Sequence, residues 1–322
     1  MTITWTEANL PNPPEGADLP MQQHPTHGAV CAALGRAVYW LEWRDGRRVM
    51  ATAQVLRRDW PLIGGVALVS RGPVLAPGLP TETARDALAA LIATLRAGHR
   101  GVIVTPEPVA GADPMAGGPW LSMMTGGHVA RLSLAPGLCA LRAGLHQKWR
   151  NRLRRAESGG LAVAETALPD DPGHWLLREE AAQARARRYG RLPPAYALAW
   201  ALAGETLLVS AQAGDRSIAG MLFLIHRPWA SYHLGWSSPE GRAANAHTLL
   251  LWRAMIALKA RGIAALELGL LDTETAPDLA RFKLGTGAAA VPLGASWLDA
   301  PGSRAVAALA RAAALPLRRL SR

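Results

Sequence analysis

Residues 263–297 read IAALELGLLDTETAPDLARFKLGTGAAAVPLGASW, and this stretch decides the fold. Its apolar beginning, Ile263–Leu268, is too short for a helix of its own and predicts a buried strand that ends at Gly269. An acidic loop follows, and then a short helix begins near Pro277, a residue suited to the first helical turn. After a glycine-rich break the chain returns as a strand over Leu293–Leu298. This order of strand, loop, helix and strand predicts an α/β architecture.

Lys283 is the strongest candidate for a functional residue in this stretch, because it lies at the end of the predicted helix, just outside a strand end. A cation held there is what an acyl-transfer site for an anionic or polyphosphate-bearing substrate needs. The helix dipole also favours a lysine in the last turn, so an ordinary solvated side chain explains the same pattern. The residues alone leave both interpretations open.

Length and composition indicate a folded protein with a strong positive charge. A chain of 322 residues can bury one large core or two ordinary ones. Hydrophobic residues make up 50% and charged residues 18%, which is typical of globular proteins. The formal net charge is +11, from 35 basic and 24 acidic residues. This surplus favours anionic partners such as RNA, nucleotide-linked substrates or an acidic membrane face, although coding bias and solubility explain it without any partner.

The cysteines and histidines indicate neither a disulfide framework nor a metal site. Cys31 and Cys139 form no C-x-x-C motif, and two cysteines do not stabilise a chain of this length. The nine histidines include no H-x-x-x-H pair of the kind that binds zinc. The N-terminal stretch lacks the regions of a signal peptide, and no run of about 18 apolar residues occurs. We therefore expect a soluble, cytoplasmic protein.

The chain divides into two halves of similar content, each with a hairpin of strands, helices and further strands. The first hairpin turns at Asp45-Gly46, a pair suited to positive φ. The predicted domains are residues 1–137 and 138–301, each a mixed, mostly antiparallel sheet flanked by helices. The tail, residues 302–322, predicts a basic amphipathic helix that packs back on the first domain, with contact to a membrane surface as the alternative.

One predicted helix, Leu138–Glu157, has a strongly basic face. An apolar residue recurs at every fourth position from Leu141 to Leu153, which predicts one buried side. The other side carries lysine and arginine residues, and such a face can contact the phosphates of RNA or a nucleotide. A solvated helix face explains it as well, because no aromatic residues are interleaved for base stacking.

Four motifs occur in the order and spacing of a known family. They are LPMQQH at 19–24, RGPV at 71–74, the basic run KWRNRLRRA at 148–156, and a strand ending in ELG that is followed by LARFKLG at 279–285. With these motifs the chain resembles the FemAB-like branch of the GNAT acyltransferase superfamily, from about residue 19 to residue 298. The resemblance implies two tandem GNAT-like domains of α/β (α+β) class, with the active cleft in the second.

The resemblance implies an enzyme that transfers an acyl or aminoacyl group to an amine acceptor, such as a peptidoglycan precursor of the cell wall. A second interpretation is an acetyl-CoA-dependent N-acyltransferase of a small molecule or protein. A third, of another class, is a non-catalytic protein that binds RNA or other anions on a GNAT scaffold. The expected partners are an anionic, nucleotide-linked or tRNA-linked substrate and a peripheral membrane surface, but not DNA, and the oligomeric state is open.

The resemblance also assigns roles to residues. It places the functional Phe-Lys pair of the family on Phe282 and Lys283, with the lysine stabilising negative charge and the phenylalanine shaping the pocket. It places acceptor-binding positions on Arg188 and Tyr189. Asp272, at a strand end, is a candidate base or amine anchor, with loop solvation as the alternative. The remaining substrate-binding candidates are Arg71 as a clamp for phosphate or carboxylate, Tyr232 as a pocket donor or core residue, and Trp236.

The acyl donor is open between aminoacyl-tRNA and acyl-CoA. In a GNAT domain, backbone N–H groups hold the pyrophosphate of acyl-CoA where a loop enters a helix, usually with an R-x-x-G-x-G/A pattern. The corresponding loop is Glu240–Asn245, with Arg242, Ala243 and Asn245 as the candidate residues, and it lacks this pattern. The departure favours aminoacyl-tRNA, but the chain also lacks the long coiled-coil insertion that grips tRNA in peptidoglycan-bridge members of the family. We expect no tightly bound cofactor.

Overall fold

The chain folds into two units, each built around its own β-sheet. The computed structural model describes residues 3–9, 12–61 and 64–314. The first unit contains residues up to Gly127 together with those from Pro292 onward, and the second contains His128–Val291. The division into two α/β parts with mostly antiparallel sheets confirms the predicted fold class.

The chain builds most of the first unit before it enters the second unit, and it returns to the first unit at its C-terminal end. Its elements are β1 (Trp5–Ala8), a 3₁₀ turn (Met21–Gln23), α1 (Pro25–Ala33), β2 (Ala37–Asp45), β3 (Arg48–Trp60), β4 (Gly64–Ser70), β5 (Val74–Leu75), α2 (Thr81–Gly98), β6 (Gly101–Thr105) and β7 (Leu121–Met124). The second unit follows with β8 (His128–Ser133), α3 (Leu138–Gly144), α4 (Gln147–Ser158), β9 (Ala162–Thr166), α5 (Trp175–Arg187), α6 (Pro194–Ala203), β10 (Glu205–Ala213), β11 (Arg216–His226), β12 (Trp229–Ser237), α7 (Pro239–Ala243), α8 (Ala246–Ala260), β13 (Ala265–Leu270), α9 (Pro277–Leu284) and β14 (Ala289–Pro292). The chain then adds β15 (Ser296–Asp299) and α10 (Ser303–Ala314) to the first unit.

The first sheet has the strand order β1-β2-β3-β4-β6-β15-β7, with β5 also paired to β3. Only β4 and β6 are parallel among its described pairs. Helix α2 covers the sheet with a stripe of apolar residues at helical spacing, including Leu88, Leu91 and Leu95, all buried. The tight β2–β3 hairpin turns at Gly46, whose φ of +57° is a conformation that glycine adopts without strain.

The second sheet has the order β14-β8-β13-β12-β11-β10-β9, and β12 and β13 are its parallel neighbours. Because successive residues of a strand point to opposite faces, β11 shows which helices cover which side. Met221 and Phe223 belong to the core formed with α3, α4 and α8, whereas a side chain at Gly220 would meet Trp175 and Leu176 of α5. The sheet is therefore sandwiched between two helical layers.

The observed units differ from the predicted domains at both boundaries. Strand β8 lies before the predicted boundary at residue 138, yet it pairs with β13 in the second sheet. Strand β15 lies before the predicted boundary at residue 301, yet it pairs with β6 and β7 in the first sheet. Both differences arise because strand pairing is a long-range contact that local sequence patterns do not reveal. Helix α10 packs against β7 and β15, and the predicted tail helix beyond residue 314 lies outside the described residues.

The single helix predicted over residues 138–157 is two helices, which was a wrong prediction. Helix α3 ends at Gly144, and Leu145 and His146 are extended before α4 begins. The backbone N–H of His146 donates to the carbonyl of Gly285 at 2.9 Å, so a contact with the end of α9 takes the place of a helical hydrogen bond. The apolar residues of both helices are nevertheless buried on one side, as the four-residue spacing predicted.

Candidate functional site

The two parallel strands at the centre of the second sheet separate towards their carboxyl ends. Residues Trp229–Ser231 of β12 pair with Ala265–Glu267 of β13, and the pairing stops there although both strands continue. A bulge at His233 displaces β12 further, because Tyr232 and Leu234 face consecutive residues of β11. Side chains from both strands therefore have room between them, which is where a ligand can enter an otherwise closed sheet.

A narrow cleft lies at this separation. Its lining is apolar except for one amine and one phenol: Met221, Tyr232, Leu251, Leu268, Leu279, Phe282 and Lys283. A mostly apolar lining with a few polar groups is typical of ligand sites. Phe282 is held in place by Trp149, whose ring centroid lies 6.0 Å away, so the aromatic pair gives the cleft a firm wall.

Lys283 brings a nearly desolvated cation to the cleft. It lies in the last turn of α9 and is 7% exposed, and its Nζ donates a hydrogen bond to the carbonyl of Leu270 at 2.7 Å. Among the described residues no carboxylate pairs with it. Burial lowers the pKa of Lys283 to about 8, because desolvation penalises the charged form. A buried ammonium with one neutral partner is well suited to bind a negative oxygen.

Tyr232 supplies the second polar group of the cleft. Its hydroxyl makes no hydrogen bond with any of the described residues, and burial is the main reason that its pKa is raised. Gly235 makes room for this hydroxyl, since a Cβ at position 235 would lie 2.4 Å from it. A neutral phenol and a cationic lysine are both hydrogen-bond donors, so the cleft can stabilise an oxyanion that develops on a carbonyl.

Asp272 is organised by its own loop. It accepts hydrogen bonds from the backbone N–H groups of Glu274 and Thr275 and from the hydroxyl of Thr275. The bond from the Thr275 side chain is the largest reason that the pKa of Asp272 is lowered. These contacts fit the loop role that the sequence left open beside the role of base, because a carboxylate with a lowered pKa is a weaker base.

Comparison with known families identifies the second unit. Residues 144–284 match the family model of the acetyltransferase (GNAT) domain. The matched region contains the separated strands, the cleft and Lys283. The second unit therefore resembles a GNAT domain. A search of curated proteins finds no match to the sequence.

Several solved structures share the fold at low sequence identity. The structure of FemX superposes with a TM-score of 0.69 at 12% identity, over 86% of this chain and 93% of FemX. The C-terminal domain of a putative lysylphosphatidylglycerol synthetase from Agrobacterium fabrum gives 0.53 at 14%, over 92% and 93%. A tandem GNAT protein from the clavulanic acid biosynthesis pathway gives 0.51 at 14%, over 82% and 83%. These likenesses show that the fold of this chain is shared with proteins of very different sequence.

The acceptor-binding candidates Arg188 and Tyr189 lie at the end of α5 in the GNAT domain. Arg188 is exposed and ends the helix with a φ of +55°. The Tyr189 hydroxyl donates to Oε1 of Glu180 at 3.0 Å and accepts from Gln183 at 3.1 Å. Sequence reasoning missed Glu180, although it falls on the buried stripe of α5 between Leu177 and Ala184, where a carboxylate is unexpected.

Trp236 and the predicted phosphate loop lie at the end of β12. The Trp236 ring packs edge-on against Trp175 at 6.1 Å, and its carbonyl lies 2.9 Å from Nε2 of His247. Arg242 donates to the carbonyl of Ser237 at 2.6 Å, which ties its guanidinium to the loop. Ala243 ends α7, and Asn245, with a φ of +55°, precedes α8.

The one glycine of this loop is required by packing. A Cβ at Gly241 would lie 2.5 Å from the carbonyl oxygen of Ile218 and 2.6 Å from the hydroxyl of Ser237. Gly241 also donates to the Ser238 side chain, which caps α7. The glycine is therefore explained without a phosphate ligand.

Arg71 belongs to the other unit and has a partner there. It is buried, with a φ of +51°, and its Nε lies 2.6 Å from Oε1 of Glu107. The ion pair occupies the guanidinium edge that the sequence assigned to a phosphate or carboxylate. Within the part of the chain that the structure describes, no cluster of three or more histidine, cysteine or carboxylate side chains has the arrangement of a metal site. No helix there is both long and apolar enough to cross a membrane.

Proposed function

We propose that this protein forms an amide bond by transferring an acyl or aminoacyl group to an amine, with the reaction centred on Lys283. The observation that supports this most strongly is the buried ammonium, without a carboxylate partner among the described residues, in an apolar cleft between separated strands. A cation in such a place is stabilised when negative charge develops beside it. The GNAT domain that contains the cleft supports acyl transfer as the class of reaction.

The proposed chemistry is direct attack by the amine. Its nitrogen attacks the acyl carbon, the new C–N bond forms, and the carbonyl oxygen becomes an oxyanion that Lys283 and Tyr232 stabilise. The bond from carbon to the leaving oxygen or sulfur then breaks, and the proton released by the nitrogen goes to that leaving atom. Much of the rate would come from holding the two reactants together, as is usual when no covalent enzyme intermediate forms.

The identity of the donor is the finer part of the proposal. Aminoacyl transfer is supported by the likeness to FemX and by the name of the putative lysylphosphatidylglycerol synthetase, although both are similar in fold only. Acyl-CoA remains the alternative donor, because the tandem GNAT protein with the same fold is described in a form without acetyl-CoA. A cell-wall precursor is the acceptor that the FemAB-like resemblance favours.

The decisive experiment is a transfer assay with a matched pair of lysine variants. Purified protein is incubated with aminoacyl-tRNA or acyl-CoA and a panel of amines that includes a UDP-linked muropeptide, and amide products are detected by mass spectrometry. Lys283→Met should abolish the product while the protein stays folded. Lys259→Met is the control, because Lys259 also donates to backbone carbonyls, those of Leu134 and Ala135, but lies outside the cleft. Wild-type turnover in the folded Lys283 variant would refute the proposal.

A binding protein without catalysis is the second candidate, and the surface of α4 favours it. Lys148, Arg152 and Arg155 are exposed at helical spacing, and none of them pairs with a carboxylate among the described residues. Such a stripe would bind the phosphates of RNA, with an affinity that falls steeply as salt is added. Salt-sensitive RNA binding without any amide product from any donor would favour this candidate over the enzyme.

A further inference from the structure

Glu180 is a buried carboxylate that the proposed chemistry has not yet used. It lies on α5 in the GNAT domain and is 3% exposed. Glutamate is rarely buried to this degree unless its charge is compensated. One of its oxygens, Oε1, accepts the hydrogen bond from Tyr189, so half of the carboxylate is satisfied in the ordinary way.

The other oxygen of Glu180 is only partly satisfied. Oε2 lies 3.2 Å from Nη1 of Arg191, which is ion-pair distance, but the geometry is not that of a hydrogen bond, and no other described residue donates to it. A buried carboxylate oxygen without a well-aligned donor is costly to the fold. A ligand that brings an N–H group to this oxygen would relieve that cost.

The position of Glu180 relates it to the cleft. Helix α5 packs on β12, the strand that carries Tyr232 into the cleft beside Lys283. Burial, then the neighbouring Tyr189 and the charge of Glu180, raise the pKa of Tyr232. Tyr232 thus shares the cleft with the Lys283 cation, and its strand is covered by the helix that carries the Glu180 carboxylate. In amide formation the oxyanion is stabilised by a positive partner, and an acceptor that arrives as an ammonium ion is bound by a negative one; the nitrogen attacks after it has released a proton to solvent.

We propose that Glu180 binds the acceptor amine as an ammonium ion, and that Arg191 occupies this subsite until the acceptor displaces it. The acceptor class is a primary alkylamine, because its ammonium form is compact and brings both the positive charge and the N–H groups that a buried carboxylate oxygen accepts. Arg191 is suited to leave, since it belongs to the exposed segment 188–193 between α5 and α6 and its side chain reaches the surface. This inference rests on the proposed amide-forming function.

Binding of a simple ammonium ion to the whole protein tests the subsite without any donor. The probe is n-butylammonium chloride, observed by ligand-detected NMR, with n-butanol and tetramethylammonium chloride as controls for shape and for charge. We expect binding of n-butylammonium alone. Glu180→Gln should weaken it at least about tenfold, as expected when one partner of a buried charge pair is neutralised. Glu179→Gln is the matched control, because Glu179 is the neighbour of Glu180 on the same helix, is partly exposed, and has no ion pair among the described residues.

Arg191→Ala separates a binding subsite from a structural ion pair and applies even where Glu180→Gln fails to fold. If Arg191 competes with the amine, its removal should tighten n-butylammonium binding several-fold. A purely structural pair predicts a lower melting temperature with unchanged or weaker probe binding, and that result overturns the inference. Equal binding of the probe by wild type and folded Glu180→Gln overturns it as well.

The outcome for Lys283→Met distinguishes this inference from the proposed function. That variant should fail to transfer but bind n-butylammonium at least as tightly as wild type does, because the change removes a like charge. If transfer depends on Lys283 but probe binding does not depend on Glu180, the proposed enzyme is supported and the amine subsite is refuted. If probe binding depends on Glu180 but no donor gives transfer, the amine-binding site is supported and the proposed enzyme is refuted.

Discussion

The buried charge of Lys283 lowers the stability of the fold and serves the proposed reaction, and both effects depend on pH. Its pKa of about 8 means that the ammonium is lost as the pH rises through that value. If the cation stabilises the oxyanion, kcat should fall above about pH 8 and remain level just below it. Lys283→Arg keeps its charge throughout this range. Its residual activity should therefore show no such fall, and a decline of the same shape in this variant would assign the titration to another group.

The same residue should weaken the fold at neutral pH. The pKa of Lys283 is about 8 in the folded chain and 10.5 as the ordinary value, so between these values the unfolded chain binds more protons. The free energy of unfolding therefore rises with pH across this window, and below it the full cost of the buried charge is present. Lys283→Met should stabilise the protein at pH 7 by roughly 1–3 kcal/mol, given about 1.4 kcal/mol per pKa unit. Urea unfolding at pH 7 and pH 10 checks this, since the gain should shrink at the higher pH.

Gly235 controls the position of the Tyr232 hydroxyl. A methyl group at position 235 would lie 2.4 Å from that oxygen, so Gly235→Ala must push the phenol away. We expect Gly235→Ala to lower kcat as much as Tyr232→Phe does, with no further loss in the double variant, because both changes remove the same interaction. Gly137→Ala is the control, as a Cβ there meets no atom within 4 Å. Additive losses in a double-variant cycle would show that the two residues act separately.

At the scale of the helix, Trp149 links α4 to the cleft. Trp149 is buried and packs on Phe282. It also restricts position 285 to glycine, because a Cβ there would lie 2.7 Å from the Trp149 ring. Trp149→Ala should lower the free energy of unfolding by about 3–5 kcal/mol, as aromatic truncations in a core do. Trp149→Phe should cost much less, because the indole N–H makes no hydrogen bond in the folded chain. Equal costs in urea unfolding would contradict this account.

The elements and the catalytic candidate could be predicted from sequence to different extents. Local patterns gave the hairpin at Gly46, the stripe of α2 and the helix that carries Lys283, because each depends on neighbours along the chain. They did not give the break between α3 and α4, which depends on a hydrogen bond from His146 to Gly285. Glu180 was missed because its burial and its partners, Tyr189 and Arg191, depend on how the segment after α5 folds back.

At the scale of the whole molecule, the observed units predict which part folds alone. Residues 128–292 contain all seven strands of the second sheet, from β8 to β14. A fragment with these ends should unfold cooperatively by circular dichroism and chemical denaturation. The fragment 138–301, with the boundaries suggested by sequence, lacks β8 and leaves an edge of β13 unpaired, so it should be aggregated or poorly folded. Equal behaviour of both fragments would show that β8 is dispensable.

The return of the chain to its first sheet sets an order for folding during synthesis. Strand β6 ends at residue 105, but its neighbour β15 ends at residue 299, so 194 residues must be made before that edge is covered. At ~5–20 residues per second the ribosome needs about 10–40 s for this interval. The second unit is complete before the first can close, and the nascent chain carries an open sheet edge that chaperones or rapid docking of β15 must protect. The domain that starts first is thus the one that finishes last.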